Sequence, residues 1–314
     1  MNRFFVNAII IIFGIFVADL LTGYAGEKII EKLMRHNYSG QTALLGFNLE
    51  RATADVVVVG GSTASCHFVP QILSDSISSF TRGDQLTAFN AGAYYQQPSY
   101  SYCVLKSIIE RGKPKFVIVD IQPQQLGGNT VVEALKPLRP YYRLNSNVKE
   151  ILDDNESWSN RLWLKSNMFR FNTEIIKLIA SFRNPIGADG FDPKDGFVGD
   201  INIEPKKDTN ELNPVVVSEF ERMLSLTKDN SIKLYVVICP RLIYSDKKSK
   251  SYKKIIELCN KYSIQLFDLS MDGDFMDGSL FNDELHLNRY GAEKLTKKVS
   301  HMIKESLQRD ENYN

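Results

Sequence analysis

Four consecutive valines, Val56–Val59, run straight into Gly60-Gly61-Ser62-Thr63, and few folds can accommodate such a run. A strand that is apolar at every position is buried on both faces, which is the habit of a parallel sheet covered by helices on either side. Gly60 and Gly61 permit positive φ or close backbone approach, so the strand can stop abruptly. Ser62-Thr63-Ala64-Ser65 can then begin a helix whose amides point back toward the turn. A serine in that place stands at the carboxyl end of a parallel strand, where open α/β sheets put their ligands. Taken alone, the turn leaves two readings of Ser62, a helix cap or a nucleophile.

A serine hydroxyl is a poor nucleophile at neutral pH unless an imidazole takes its proton and a carboxylate orients that imidazole. Both groups occur together in Asn282-Asp283-Glu284-Leu285-His286-Leu287-Asn288. Asp283 and His286 are three residues apart, so on a short turn or a first helical turn the carboxylate can reach the ring. The bland alternative makes Asp283 a helix cap and His286 a surface residue. Of the other three histidines, His36 and His301 lie in polar surroundings, whereas His67 falls within a turn or two of Ser62 and can line the same site.

These blocks resemble the SGNH hydrolase superfamily, the GDSL-like esterases and acyltransferases. The resemblance implies Ser62 as nucleophile, Asp283 as orienting acid and His286 as base. Gly61 stands where the family usually has Asp, as in its divergent, membrane-anchored members. The family's second block supplies a glycine amide to the oxyanion, and Thr87-Ala88-Phe89-Asn90-Ala91-Gly92 nominates Gly92, with the Ser62 backbone N–H as the other main-chain donor. The third block, usually Gly-x-Asn-Asp, here reads Phe116-Val117-Ile118-Val119-Asp120-Ile121-Gln122, so Gln122 becomes the nominee for the missing Asn amide. Asp120 is equally near, and its ionised carboxylate would repel an oxyanion.

Strand and helix signals alternate along the rest of the chain. After Val56–Val59, strands are expected near Thr87–Asn90, Lys115–Ile121, Lys233–Ile238 and Gln265–Asp268, separated by helical stretches at about 69–79, 99–111, 215–228 and 249–262. The expected fold is a three-layer α/β/α, flavodoxin-like (SGNH hydrolase) domain with a five-stranded parallel sheet of order 2-1-3-4-5, Ser62 standing at its switch point. Residues 123–214 interrupt this pattern with a stretch rich in Asn, Asp, Pro and aromatics, including Trp158, Trp163, Phe169 and Phe171. It reads either as a cap that sets aromatic faces against sugar rings or as a helical subdomain filling its own core.

The amino terminus is the second strong constraint. From Phe4 to Leu21 the chain is apolar except for Asn7 and Asp19, about the length that crosses a bilayer core at ~1.5 Å per residue. A charged start and an apolar core also describe a secretory signal, but no small-x-small cleavage site follows, so an uncleaved anchor is expected. Basic residues on the two sides, Arg3 against Lys28, Lys32 and Arg35, leave orientation open. Resemblance to the anchored D-alanyl-transfer and alginate-acetylation proteins implies a single-pass protein of the bacterial cell membrane with its catalytic domain extracytoplasmic (periplasmic). The expected division is an anchor over 1–26, an amphipathic linker or helix over 27–54, the domain halves over 55–122 and 215–314, and the insertion over 123–214.

Composition excludes several functions. A formal net charge of +1 with 24% charged residues provides no basic patch for nucleic acid. Cys66, Cys103, Cys239 and Cys259 show no C-x-x-C spacing, so no metal is expected, while a disulfide stays open for an exported domain. Gly60-Gly61-Ser62 lacks the glycine pattern and lysine of nucleotide loops, and no cofactor is expected. The expected activity is that of a serine esterase or O-acyltransferase working through a serine ester on an envelope or surface polysaccharide. Its partners would be an acylated carbohydrate or glycan, the membrane, and a membrane acyltransferase. The alternative is an SGNH-fold binding or assembly component with weak or no catalysis.

Overall fold

The structure is a computed structural model that describes residues 3–36, 38, 41–81, 85–94, 96–127, 135–183, 186–187, 189–199, 204–206 and 211–312. The valine run forms β1 (Val56–Val59), every residue of it buried. It pairs in parallel with β2 (Ala88–Asn90) on one side and β3 (Phe116–Asp120) on the other, with Val57 beside Phe89 and Val58 beside Ile118. Two short segments outside the main sheet, β4 (Glu204–Lys206) and β6 (Ile243–Ser245), pair with one another in parallel. The main sheet continues through β5 (Lys233–Ile238) and β7 (Gln265–Asp268) in the order β2-β1-β3-β5-β7, all parallel. That is the expected flavodoxin-like order, so the fold is an α/β domain with a five-stranded parallel sheet.

Alternation along each strand divides the core into two layers. Val57, Val59, Val117, Val119, Val236 and Ile238 face one apolar cluster, shared with α2 (Gln41–Glu50), α5 (Pro98–Arg111), α10 (Pro214–Asp229) and α11 (Lys250–Tyr262). Val56, Val58, Ile118, Tyr235 and Val237 face the other, covered by α4 (Pro70–Ser78) and the last helix, α12 (Arg289–Asn312). Both faces are dry, which is why no polar residue interrupts Val56–Val59.

The first helix, α1 (Arg3–Leu33), is continuous for 31 residues and is long and apolar enough to cross a membrane. The boundary expected at residue 26 therefore falls inside one helix. Its second half is docked rather than linking, because Gly23 and Gly26 remove the side chains that would collide with Asn167 and Phe171. The expected linker also contains α2, whose Leu45 and Leu49 are fully buried in the core.

The insertion supplies α6 (Ser146–Asn155), α7 (Trp158–Trp163), α8 (Asn167–Phe171) and α9 (Glu174–Ser181). The first three are capped by Asn145, Ser157 and Ser166, whose side chains accept from amides of the opening turn. Tyr141 and Phe171 fill the core, and Arg139 holds Glu156 through two hydrogen bonds of 2.8 and 2.6 Å. Beyond these helices the rest of the insertion, 184–211, lies partly outside the described residues. Where described, 189–199 is without regular secondary structure and passes the ends of β2 and α3, the Asp189 carbonyl accepting from the Asn90 amide and the Asp192 amide donating to the Ser65 carbonyl.

Candidate active site

At the end of β1 the chain needs a residue without a side chain. Gly60 has φ +150°, and a Cβ there would lie 2.6 Å from the Asp120 carbonyl oxygen. The chain then turns at Gly61 into α3 (Ser62–His67), with Ser65 N–H donating to the Gly61 carbonyl at 3.1 Å. Ser62 thus opens the helix, and its amide has no intrahelical acceptor.

The structure brings Ser62, Asp283 and His286 together. His286 Nε2 lies 2.8 Å from Ser62 Oγ, and His286 Nδ1 lies 2.9 Å from each carboxylate oxygen of Asp283. With Nδ1–H donating to the carboxylate, Nε2 carries the lone pair and accepts from the serine O–H. The acid–base pair sits on a tight loop before α12 rather than in a helical turn. Phe281 and Leu287 bridge across this loop, and Asn282 N–H donates to the His286 carbonyl at 2.8 Å. Asp283 also accepts from the amides of Leu285 and His286 at 2.8 and 2.9 Å. Burial pushes its carboxyl up, but the bonds from the His286 ring and from these amides outweigh that and hold it below the usual carboxylate range. Asn288 anchors the far end of the loop, donating to the carbonyls of Gly196 and Ser279.

His67 lies next to this arrangement in a supporting position. It is fully buried, its ring meets that of His286 edge-on at 6.3 Å, and its Nε2 accepts from the Leu287 amide at 2.9 Å. Burial, and then the neighbouring His286 and Arg241, push its pKa well below the usual range, so it stays neutral and able to accept. Cys66 is an inert thiol, since burial pushes it up to about 12. All four cysteines are buried and free, none in a disulfide.

Two expected oxyanion donors, Gly92 and Gln122, have their amides engaged by other partners in this structure. The Gly92 amide is already engaged, donating to Asn90 Oδ1 at 2.9 Å. What the position requires is the absence of a side chain, because a Cβ on Gly92 would lie 2.5 Å from Ser65 N and 2.6 Å from Ala64 Cβ. Gly92→Ala is therefore expected to push α3 away from the β2 loop and destabilise the fold by about 1–3 kcal/mol. Thermal unfolding checks this, and an unchanged melting temperature would remove the packing role. Gln122 is 3% exposed, and its amide Nε2 donates to Asp120 Oδ1 at 3.2 Å and toward the Cys239 carbonyl at 3.5 Å, so it braces the sheet end. The Ser62 amide remains as a main-chain donor.

Asp120 is buried at 1% exposure, bonded by Thr63 Oγ1 as well as Gln122. Burial, outweighing those bonds, raises its pKa above the usual carboxylate range. A carboxyl whose folded pKa exceeds its unfolded pKa costs stability once pH rises past the unfolded value, and costs nothing below it. Asp120→Asn is expected to gain melting temperature over wild type near neutrality and lose that advantage in acid. A gain that grew on acidification would contradict this account.

Several residues near the site were not legible as such. Tyr94 packs 6.4 Å from the His286 ring, donates to Asp192 at 2.9 Å and contacts Cys66 Sγ at 3.1 Å. Lys194 lies over the Tyr94 ring at 4.9 Å. Asp192 N–H donates to the Ser65 carbonyl at 3.1 Å, so the extended part of the insertion straps along α3 and walls the site. Arg241, just past β5, has charge interactions with Asp120, Cys239 and Asp283, while its buried Nε finds no acceptor. The available signal was its position after a strand's carboxyl end, shared with Ser62 and Gln122.

No family model and no curated protein matches the chain. Among solved structures it is similar to a lipase/acylhydrolase from Enterococcus faecalis, at 12% identity over 80% of this chain and 96% of that one, with a TM-score of 0.38. It is also similar to a protein described as lipolytic, of the G-D-S-L family, from Desulfitobacterium hafniense, at 12% identity over 79% and 98% of the two chains, with a TM-score of 0.34.

Proposed function

We propose that this chain is an SGNH-type serine esterase or O-acyltransferase, anchored by α1 and acting through a serine ester. The observation that carries the reading is the unbroken chain of hydrogen bonds from Ser62 through His286 to Asp283 at the carboxyl edge of the sheet. His286 takes the proton as Ser62 Oγ attacks the ester carbonyl, and Asp283 holds the ring in the required tautomer and balances its charge. The Ser62 amide is the main-chain donor open to the tetrahedral oxyanion, while the Gly92 and Gln122 amides are engaged elsewhere before substrate arrives. His286 then returns the proton to the departing alcohol, leaving the acyl group on Ser62. Water as the second nucleophile completes an esterase cycle, and a sugar hydroxyl completes a transferase cycle.

A polysaccharide of the envelope is the proposed acceptor or donor, with a membrane acyltransferase as the source of acyl groups and the domain on the extracytoplasmic, periplasmic face. Support comes from the resemblance to anchored proteins and from the apolar helix α1. A weakly catalytic binding component is the second reading, favoured by the prior engagement of the Gly92 and Gln122 amides. The full-length protein given 4-nitrophenyl acetate with and without a deacylated surface polysaccharide separates them. Transfer of acetate to the glycan supports the transferase, release without transfer supports the esterase, and neither leaves the binding role.

A further inference from the structure

Both tryptophans of the chain lie in α7, and both face outward: Trp158 is 71% and Trp163 61% exposed. Leu162 on the same helix and Met168, near the start of α8, are exposed as well. Exposed Arg161 and Lys165 are interleaved with this group, and Arg143 holds the Lys165 carbonyl. Large apolar groups gathered in one exposed place mark a contact surface. Tryptophan mixed with basic side chains is the composition of the membrane–water interface.

The position of α1 identifies what covers this surface. The carboxylate of Asp19 accepts from Ser166 Oγ at 2.6 Å, Asn167 Nδ2 at 3.0 Å and Met168 N–H at 2.9 Å, only a few residues past Trp163. Beyond that clamp α1 lies along the domain through Gly23, Gly26, Ile30 and Leu33. Before it, Phe4 to Phe16 project free, their large apolar side chains in the open. The helix therefore leaves the domain beside α7 and α8, at the level where the apolar run from Phe4 to Leu21 ends. Tyr24, 68% exposed on α1 itself, stands just past the same level.

We propose that Trp158, Leu162, Trp163 and Met168 form an interfacial platform that rests in the headgroup layer of the bilayer spanned by α1. This rests on the reading of α1 as a membrane span. Because the Asp19 clamp makes the span and the domain one rigid piece, the platform meets the lipid whenever α1 is inserted, and Ser62 is held at a fixed height and tilt over the membrane. The insertion thus serves the membrane through its helices and the site through its extended strap.

The full-length protein is reconstituted into vesicles of phosphatidylcholine and phosphatidylglycerol, with and without lipids brominated high on the acyl chain, and followed by flotation and tryptophan emission. Since no tryptophan lies elsewhere, emission reports the platform alone. The expected result is protein that floats with the vesicles and emission lowered roughly twofold by the brominated lipid, as for side chains at the headgroup boundary. Flotation with emission unchanged by bromine overturns the platform and leaves the span intact, the outcome also expected if a second copy of the chain covered the patch. Failure to float overturns the span and the platform together.

Discussion

Ser62→Ala is expected to reduce ester hydrolysis by about a hundred-thousandfold, with His286→Ala close behind and the double variant no worse than either single. The non-additivity is the informative part. Ser62 Oγ and His286 Nε2 share one proton at 2.8 Å, so losing either end removes the same activated nucleophile. Residual turnover would come from binding and the Ser62 amide, which survive both changes. Steady-state kcat/KM on 4-nitrophenyl acetate for the three variants is the check. Effects that multiplied would mean that the two residues act separately. Circular dichroism keeps the comparison honest, since Ser62 makes no bond on which the packing of α3 depends apart from that to His286.

Asp283→Asn is expected to cost about a thousandfold to ten-thousandfold in kcat. An amide of the same shape keeps an oxygen for the Leu285 and His286 N–H groups, so the loop survives. What it cannot do is accept from Nδ1–H with both oxygens, as the carboxylate does at 2.9 Å each. The ring is then free to hold its proton on Nε2, where it blocks the serine. The same residue makes a prediction about stability. Its folded pKa is depressed by its hydrogen bonds, so its contribution is fully present above the unfolded carboxylate pKa and is lost as pH falls through the folded one. Wild type is thus expected to exceed Asp283→Asn in melting temperature at neutral pH, with the gap closing in acid. A gap that persisted in strong acid would place the stabilising interaction elsewhere.

The strands and the acid–base–nucleophile set were legible for different reasons. Val56–Val59, Lys233–Ile238 and Gln265–Asp268 are short apolar runs with turn residues at their ends, so their limits follow from composition. Ser62 opens a helix after a strand signal and Asp283 and His286 lie on a loop before the last helix, and only their chemistry suggested that they meet across more than two hundred residues. The oxyanion side was not legible in this way, because it depends on which amides are already used. Asn90, a polar residue ending a buried strand, takes the Gly92 N–H and donates to the carbonyls of Ala64 and Phe68. A glycine required for close packing and a glycine required for its amide look alike in a sequence. Gln122 is a similar case, its side-chain amide donating to buried Asp120. The segment over 27–54 showed an amphipathic face but not what covers it, and the cover is an insertion more than a hundred residues later, through Glu174 against Thr42 and Phe182 against Tyr38.

The central claim is that Ser62 is a nucleophile activated by His286, and covalent labelling tests it most directly. The folded, full-length protein is treated with a fluorophosphonate and the adduct located by peptide mass spectrometry. One adduct is expected, on Ser62, absent from Ser62→Ala and formed far more slowly by His286→Ala. A folded wild-type protein that stayed unlabelled, or that carried the label on another residue, would contradict it.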